Sequence, residues 1–247
     1  MSRGGDVEAV TFDFFDTLIF HRDGRGRGHG LSRYLDACGY GSPTWHDGAL
    51  YRVFERHANE YSPDLPGPER RRYLERFAVR VFDEVAVSVP AAEAARHAEA
   101  LWEIVGPKAF DVFPEVHSTL EALRRQGFRL AVISNWPSGL AHYVSELGLA
   151  SYFEHVIGSA DFGFAKPDRR IFERASTLLG VAPSRILHVG DSRDADYEGG
   201  RAAGFRVALV QRRAGEHPDA DRVVRSLSDL QNLPELACAP AIRRVPA

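Results

Sequence analysis

The chain is poor in several things, and each shortage excludes a class of protein. It has two cysteines among 247 residues, Cys38 and Cys238. They lie far apart and in no metal-ligand spacing, which argues against a disulfide framework and a zinc site and leaves two ordinary thiols. It has no excess of positive charge: 31 Lys and Arg stand against 34 Asp and Glu, a formal net charge of -3. Nothing overall draws it to nucleic acid or to an anionic membrane. No apolar run reaches the roughly 18 residues of a membrane span, and the polar opening MSRGGD has no signal-peptide core. The expectation is a cytoplasmic protein with no nucleic-acid or membrane partner. Internal repeats and strong low-complexity tracts are also missing, and the closing CAPAIRRVPA, 238–247, reads as frayed.

What is present suffices for a sizeable core. Hydrophobic residues make up 44% and charged residues 26% of the chain, enough for one large domain or two unequal ones. Val7–Phe12 reads as a buried strand ending near Asp13. The Gly- and Arg-rich RDGRGRGHG, 22–30, reads as a solvated linker, because glycines that cradle phosphate follow a strand directly and open a helix. From Leu31 to Val105 the apolar residues recur at helical spacing, in YRVFERHANEY, RRYLERFAVRVFDEV and AAEAARHAEALWEIV, which predicts about four helices without a strand between them.

Beyond that insertion, helices are predicted over 116–126, 139–147, 169–179 and 194–203, and strands over 129–133, 155–158, 186–189 and 206–210. Strands alternating with helices imply an α/β domain with a Rossmann-like parallel sheet and helices on both faces, binding ligands beyond the strand C-termini. The expected division is a discontinuous α/β core, 1–20 with 107–247, and an inserted all-helical cap, 21–106.

Polar residues stand at four of these strand ends. AVTFDFFDTLIF, 9–20, sets Asp13 and Asp16 in an apolar run, where an ionised carboxylate needs a partner or a cation. LAVISN brings Ser134 and Asn135 to a strand end just before a helix, GFAKPD places Lys166 in a loop, and LHVGDSRDAD carries Asp191 and Asp196. Phosphoryl transfer to a carboxylate requires such a set: one carboxylate nucleophile, a hydroxyl and an ammonium for the phosphate oxygens, and further carboxylates for a magnesium ion. His188 reads as a packed neutral core histidine, and Asp194 as a cap or surface carboxylate.

The ordered motifs FDFFDTL, ISN, AKPD and GDSRDAD, followed by EGGRAAG, resemble those of the haloacid dehalogenase superfamily, in the branch with a helical cap inserted after the first strand. The resemblance implies that Asp13 is the nucleophile and that Ser134 and Lys166 bind the transferring group. It adds Asn135 and Thr17 to the phosphate site, Thr17 fixing the first loop. It also implies that Asp13, Asp191, Asp196 and the backbone carbonyl of Phe15 surround Mg2+. One departure stands out: phosphatases of the family carry a second aspartate, an acid and base, where this chain has Phe15. A backbone ligand tolerates that change, but proton transfer does not. The leading expectation is a magnesium-dependent phosphatase of a small phosphorylated metabolite; the alternatives are a metal-independent dehalogenase and a binding protein with weakened turnover.

Overall fold

The computed structural model describes residues 7–22, 27–41, 67–136, 139–212 and 220–236. The helix expected over 51–61, the tail from 238 and most of the 22–26 linker lie outside them. In chain order the elements are β1 (Ala9–Phe12), β2 (Ile19–His21), α1 (Arg27–Ala37), α2 (Gly67–Glu84), α3 (Ala91–Arg96), α4 (Ala98–Val105), β3 (Phe110–Val112), α5 (Val116–Arg125), β4 (Arg129–Ser134), α6 (Leu140–Glu146), β5 (His155–Gly158), α7 (Ser159–Phe162), α8 (Arg169–Leu179), β6 (Ile186–Gly190), α9 (Gly199–Ala202), β7 (Arg206–Val210) and β8 (Val223–Val224).

Among the described residues six strands form one sheet in the order β5-β4-β1-β6-β7-β8, with parallel pairing throughout. The α/β expectation therefore holds. β1 lies inside the sheet, Ala9 pairing with Arg129 on one side and Ile186 on the other. All four of its residues are buried, as its unbroken AVTF run requires of a strand covered on both faces. α8 presents Ile171, Phe172, Ala175 and Leu179 at helical spacing to the cluster that includes Ala131, Ile133 and Ile157 of the sheet.

The chain divides into two compact units, 1–19 with 112–135 and 148–247, and 20–111 with 136–147. The second unit is built on its own core, in which Leu31, Leu35, Tyr73, Phe77, Leu101 and Trp102 meet. The stretch 136–147 joins it through rings: Tyr143 lies 5.1 Å from Trp136 and 6.0 Å from Phe110, centroid to centroid. No helix among the described residues is long and apolar enough to cross a membrane.

Four local differences from the sequence reading have physical causes. Residues 27–30 of the expected linker already belong to α1, since glycine weakens a helix without forbidding it and Leu31 and Leu35 anchor this one in the core. The single helix expected over 91–105 breaks at His97, with φ -91° and ψ -3°. The two-stranded β2-β3 sheet and the edge strand β8 have three residues or fewer per strand, too short to show a period. The helix expected over 194–203 begins as a π-helical turn, Arg193–Glu198, before α9.

Candidate active site

Asp13 follows β1 directly. Its N–H donates to the Val189 carbonyl at 2.8 Å, so the residue still sits on the sheet, and it is buried. The chain then turns tightly. The Phe14 carbonyl accepts from the Leu18 N–H at 2.9 Å and the Ile19 N–H at 3.1 Å, and Asp16 takes a left-handed φ of 58°. Aspartate tolerates that region better than bulkier or β-branched residues do. Phe14 is buried, Phe15 half-buried and Asp16 exposed.

The π-helical turn explains how Asp196 returns to the sheet. The Ser192 carbonyl accepts from the N–H groups of both Asp196 (3.0 Å) and Tyr197 (3.1 Å), while the Ser192 hydroxyl accepts from the Ala195 N–H at 3.1 Å. The widened turn puts the Asp196 carboxylate against Gly190, where an added Cβ would lie 2.2 Å from Asp196 Cγ. Gly190→Ala is therefore expected to destabilise the fold by about 1–3 kcal/mol and to displace Asp196. Gly67→Ala, with nothing within 4 Å of the new methyl beyond its chain neighbours but with Pro68 beside it, should stay within about 0.5 kcal/mol of the wild type instead. Denaturation midpoints of the two variants check this, and a neutral Gly190→Ala would mean that Asp196 has room to move.

Lys166 is buried in the loop after α7 and its peptide is gripped by Asn135. Asn135 Oδ1 accepts from the Lys166 N–H at 2.7 Å and Nδ2 donates to the Lys166 carbonyl at 2.9 Å. Asn135, expected to touch phosphate, thus holds the backbone of the lysine. The Lys166 ammonium donates to Asp13 Oδ1 and Asp196 Oδ1, each at 2.5 Å.

Behind Asp196 stands a residue whose role sequence reasoning missed. His188, neighbour of Thr11 in the β1-β6 register, has Nε2 3.0 Å from Asp196 Oδ1 and Nδ1 2.9 Å from the Thr11 hydroxyl. An ionised carboxylate only accepts, so Nε2 carries the hydrogen, while Nδ1 and the Thr11 hydroxyl share the second hydrogen bond. The result is one buried hydrogen-bonded chain, Thr11 to His188 to Asp196 to Lys166 to Asp13. The burial of His188 was legible in HVGD; its partners, on another strand and a later turn, were not.

The carboxyl groups respond differently to this setting. Burial raises the pKa of Asp13, and the charge of Asp196 adds to that, against the lowering effect of Lys166. Burial acts on Asp196 too, but Lys166 and His188 outweigh it and hold the group well below the usual carboxylate range. Asp196 also accepts from the Ser192 N–H at 3.0 Å, so it has more partners than Asp13. Burial works against the Lys166 ammonium, but the two carboxylates keep its pKa raised. Asp191 is pushed up to about 8 by burial, then by the charges of Asp13, Asp196 and Asp16.

Asp13, Asp191 and Asp196 each offer a carboxylate oxygen, and these atoms lie within 4.8 Å of one another. A donor set of hard oxygens fits Mg2+, and the crowding that raises Asp191 is what a divalent charge relieves. The Thr17 hydroxyl donates to Asp191 Oδ1 at 3.3 Å, and Ser134 is buried at the end of β4. Asp194 lies in the first turn of the π-helical segment, outside the carboxylate cluster.

Residues 7–204 match the family of hydrolases described as haloacid dehalogenase-like hydrolase. The chain is 36% identical over 250 residues to haloacid dehalogenase-like hydrolase domain-containing protein 3 of Bos taurus, an alignment covering 96% of this chain and 94% of that protein. It is 35% identical over 161 residues to a phosphoserine phosphatase of Thermus thermophilus, covering 64% of each chain. The solved structure of a 2-haloacid dehalogenase from Pseudomonas syringae pv. Tomato is similar to 94% of this chain and 98% of its own, with a TM-score of 0.61 and 28% identity.

Proposed function

The chain belongs to the haloacid dehalogenase-like hydrolases, and from that membership we propose that it is a magnesium-dependent phosphatase acting on a small phosphorylated metabolite. The observation that carries this reading is the cluster of Asp13, Asp191 and Asp196 with the Lys166 ammonium between two of them. The phosphoserine phosphatase among the relatives supports it.

In this reading the Asp13 carboxylate attacks phosphorus. The bond to Asp13 forms as the bond to the leaving oxygen breaks, and water later cleaves the acyl phosphate to restore the carboxylate. The Ser134 hydroxyl and the Lys166 ammonium hold the phosphoryl oxygens, while Asn135 and Thr17 fix the lysine loop and the first turn. Asp13, Asp191, Asp196 and the Phe15 carbonyl would hold Mg2+, which supplies charge neutralisation for the carboxylates and the transferring group. The helical unit serves as the cap that selects substrate, in a cytoplasmic protein with a small molecule as its partner.

A second reading, a metal-free dehalogenase, draws on Phe15 and on the pairing of Lys166 with both Asp13 and Asp196, which already offsets charge there. Activity assays with and without magnesium, over phosphorylated metabolites and short haloacids, separate the two. Full activity in a chelator with release of halide would select the dehalogenase.

Magnesium should also leave a signature that needs no substrate. The pKa of Asp191 lies above its unfolded value, so from about pH 4 to about pH 8 the folded, metal-free protein binds more protons than the unfolded chain, and its stability falls as pH rises. A cation needs Asp191 ionised. The rise in Tm on adding magnesium is therefore expected to grow from about pH 6 to about pH 8, and to nearly vanish in Asp191→Asn. A rise independent of pH and intact in that variant would remove Asp191 from the site.

A further inference from the structure

Arg212, two residues beyond the end of β7, plays no part in the chemistry above, yet its guanidinium reaches the turn that follows Asp13. Nη2 donates to the Thr17 carbonyl at 2.7 Å and Nε to the Asp16 carbonyl at 3.3 Å. Nη1 donates to Glu115 Oε1 at 2.6 Å, and the guanidinium carbon lies 3.3 Å from the centroid of the Phe113 ring. Glu115 is itself held by the Leu227 N–H at 3.4 Å. Burial acts to raise its carboxyl, but the bond and charge of Arg212 together with backbone N–H groups, that of Leu227 among them, outweigh that and keep its pKa lowered. One planar fork therefore meets two successive carbonyls and a carboxylate, with an aromatic face fixing its plane.

The residue that carries the first of those carbonyls is under strain. Asp16 holds a left-handed φ of 58°, a conformation that side-chain-bearing residues adopt at a cost and keep only when their surroundings impose it. We propose that Arg212 is a positioning residue that clamps the Asp13–Leu18 turn through the carbonyls of Asp16 and Thr17, holding Asp16 left-handed and so aiming Asp13 and Thr17. The fork geometry explains arginine here: its donors spread across a plane wide enough to reach two successive carbonyls and Glu115, whereas a lysine ammonium gathers its donors at one point. The role rests on the reading of Asp13 as the reacting carboxylate.

The experiment combines Arg212→Gln and Arg212→Lys with Asp16→Gly, since glycine adopts the left-handed turn without strain. Turnover of p-nitrophenyl phosphate at saturating magnesium and hydrogen exchange of the 14–19 amides are measured on each protein. Arg212→Gln is expected to lower kcat about 10- to 100-fold, as small misplacements do, with KM within about twofold and faster exchange at Leu18 and Ile19. Arg212→Lys falls between it and the wild type. Adding Asp16→Gly to Arg212→Gln restores most of the lost kcat and slows the exchange again, a rescue that a general stability defect would not show. Should Arg212→Gln fail to fold, Arg212→Lys with and without Asp16→Gly decides the question. Unchanged exchange and kcat in the Arg212 variants, or no rescue by Asp16→Gly, overturns the clamp. A wild type without turnover on any phosphate overturns the phosphatase reading alone, and the exchange arms then judge the clamp.

Discussion

Asp13→Asn is expected to abolish turnover, lowering kcat by about 10⁴-fold or more, while the protein stays folded. Asparagine keeps an Oδ1 that can accept from the Lys166 ammonium, so the hydrogen-bonded chain through Lys166 and Asp196 survives. It cannot form an acyl phosphate that water cleaves back to the same residue, and it removes one of three carboxylates whose oxygens lie within 4.8 Å of one another. Magnesium binding, followed by calorimetry, should weaken alongside the rate. Wild-type turnover in this variant would pass the nucleophile's role to another group.

Phe15→Asp is expected to act in the opposite direction. Phenylalanine has no proton to give, so alcohols of high pKa should leave slowly from the wild-type enzyme and phenols faster. A general acid contributes on the order of 10²–10⁴-fold, and Phe15→Asp should recover part of that on alkyl phosphates while changing aryl phosphates little. Asp16 is exposed, its N–H donates to the Ile19 carbonyl at 2.8 Å, and Arg212 takes its carbonyl, so it shapes the turn, while its charge helps to raise Asp191. Single-turnover rates on both substrate types decide the matter. Equal wild-type rates on both, undiminished by Asp16→Asn, would show that another group or water supplies the proton.

Much of the core was legible because its strands are short apolar runs bounded by polar residues. His155–Gly158, Arg169–Leu179 and Arg206–Val210 are elements whose limits in the structure equal those read from the sequence. Asp13, Lys166 and Asp196 were legible by their order in the motifs, and the structure brings their charged groups into contact. Lys166 carried a further signal that was overlooked: all but two of the 31 Lys and Arg are arginine, the other lysine being Lys108. A compact ammonium suits the gap between two carboxylates better than a planar fork does. What stayed hidden depends on distant pairing. Arg212 stands in QRRAG, one arginine among many, and its contacts with Asp16 and Thr17 span 196 and 195 positions. His188 showed its burial but not Asp196, because the π-helical turn that returns Asp196 departs from regular helix geometry. Asn135 sat in a strand-end pattern that reads as anion binding, and only the loop's position shows it gripping Lys166.

The interior position of β1 bears on how this protein is made. β1 is the earliest of the sheet's six strands to be synthesised, yet both of its neighbours come much later, and its Thr11 meets His188 across 177 positions. During translation its AVTF run must wait, without strand partners, while all of 20–111 is produced. That intervening stretch has its own apolar core and can collapse first on local helical contacts, whereas the parallel sheet is delayed by long-range loop closure. The strand that leads into Asp13 is thus expected to pair late in folding and, until then, to remain a β-prone segment without its sheet neighbours.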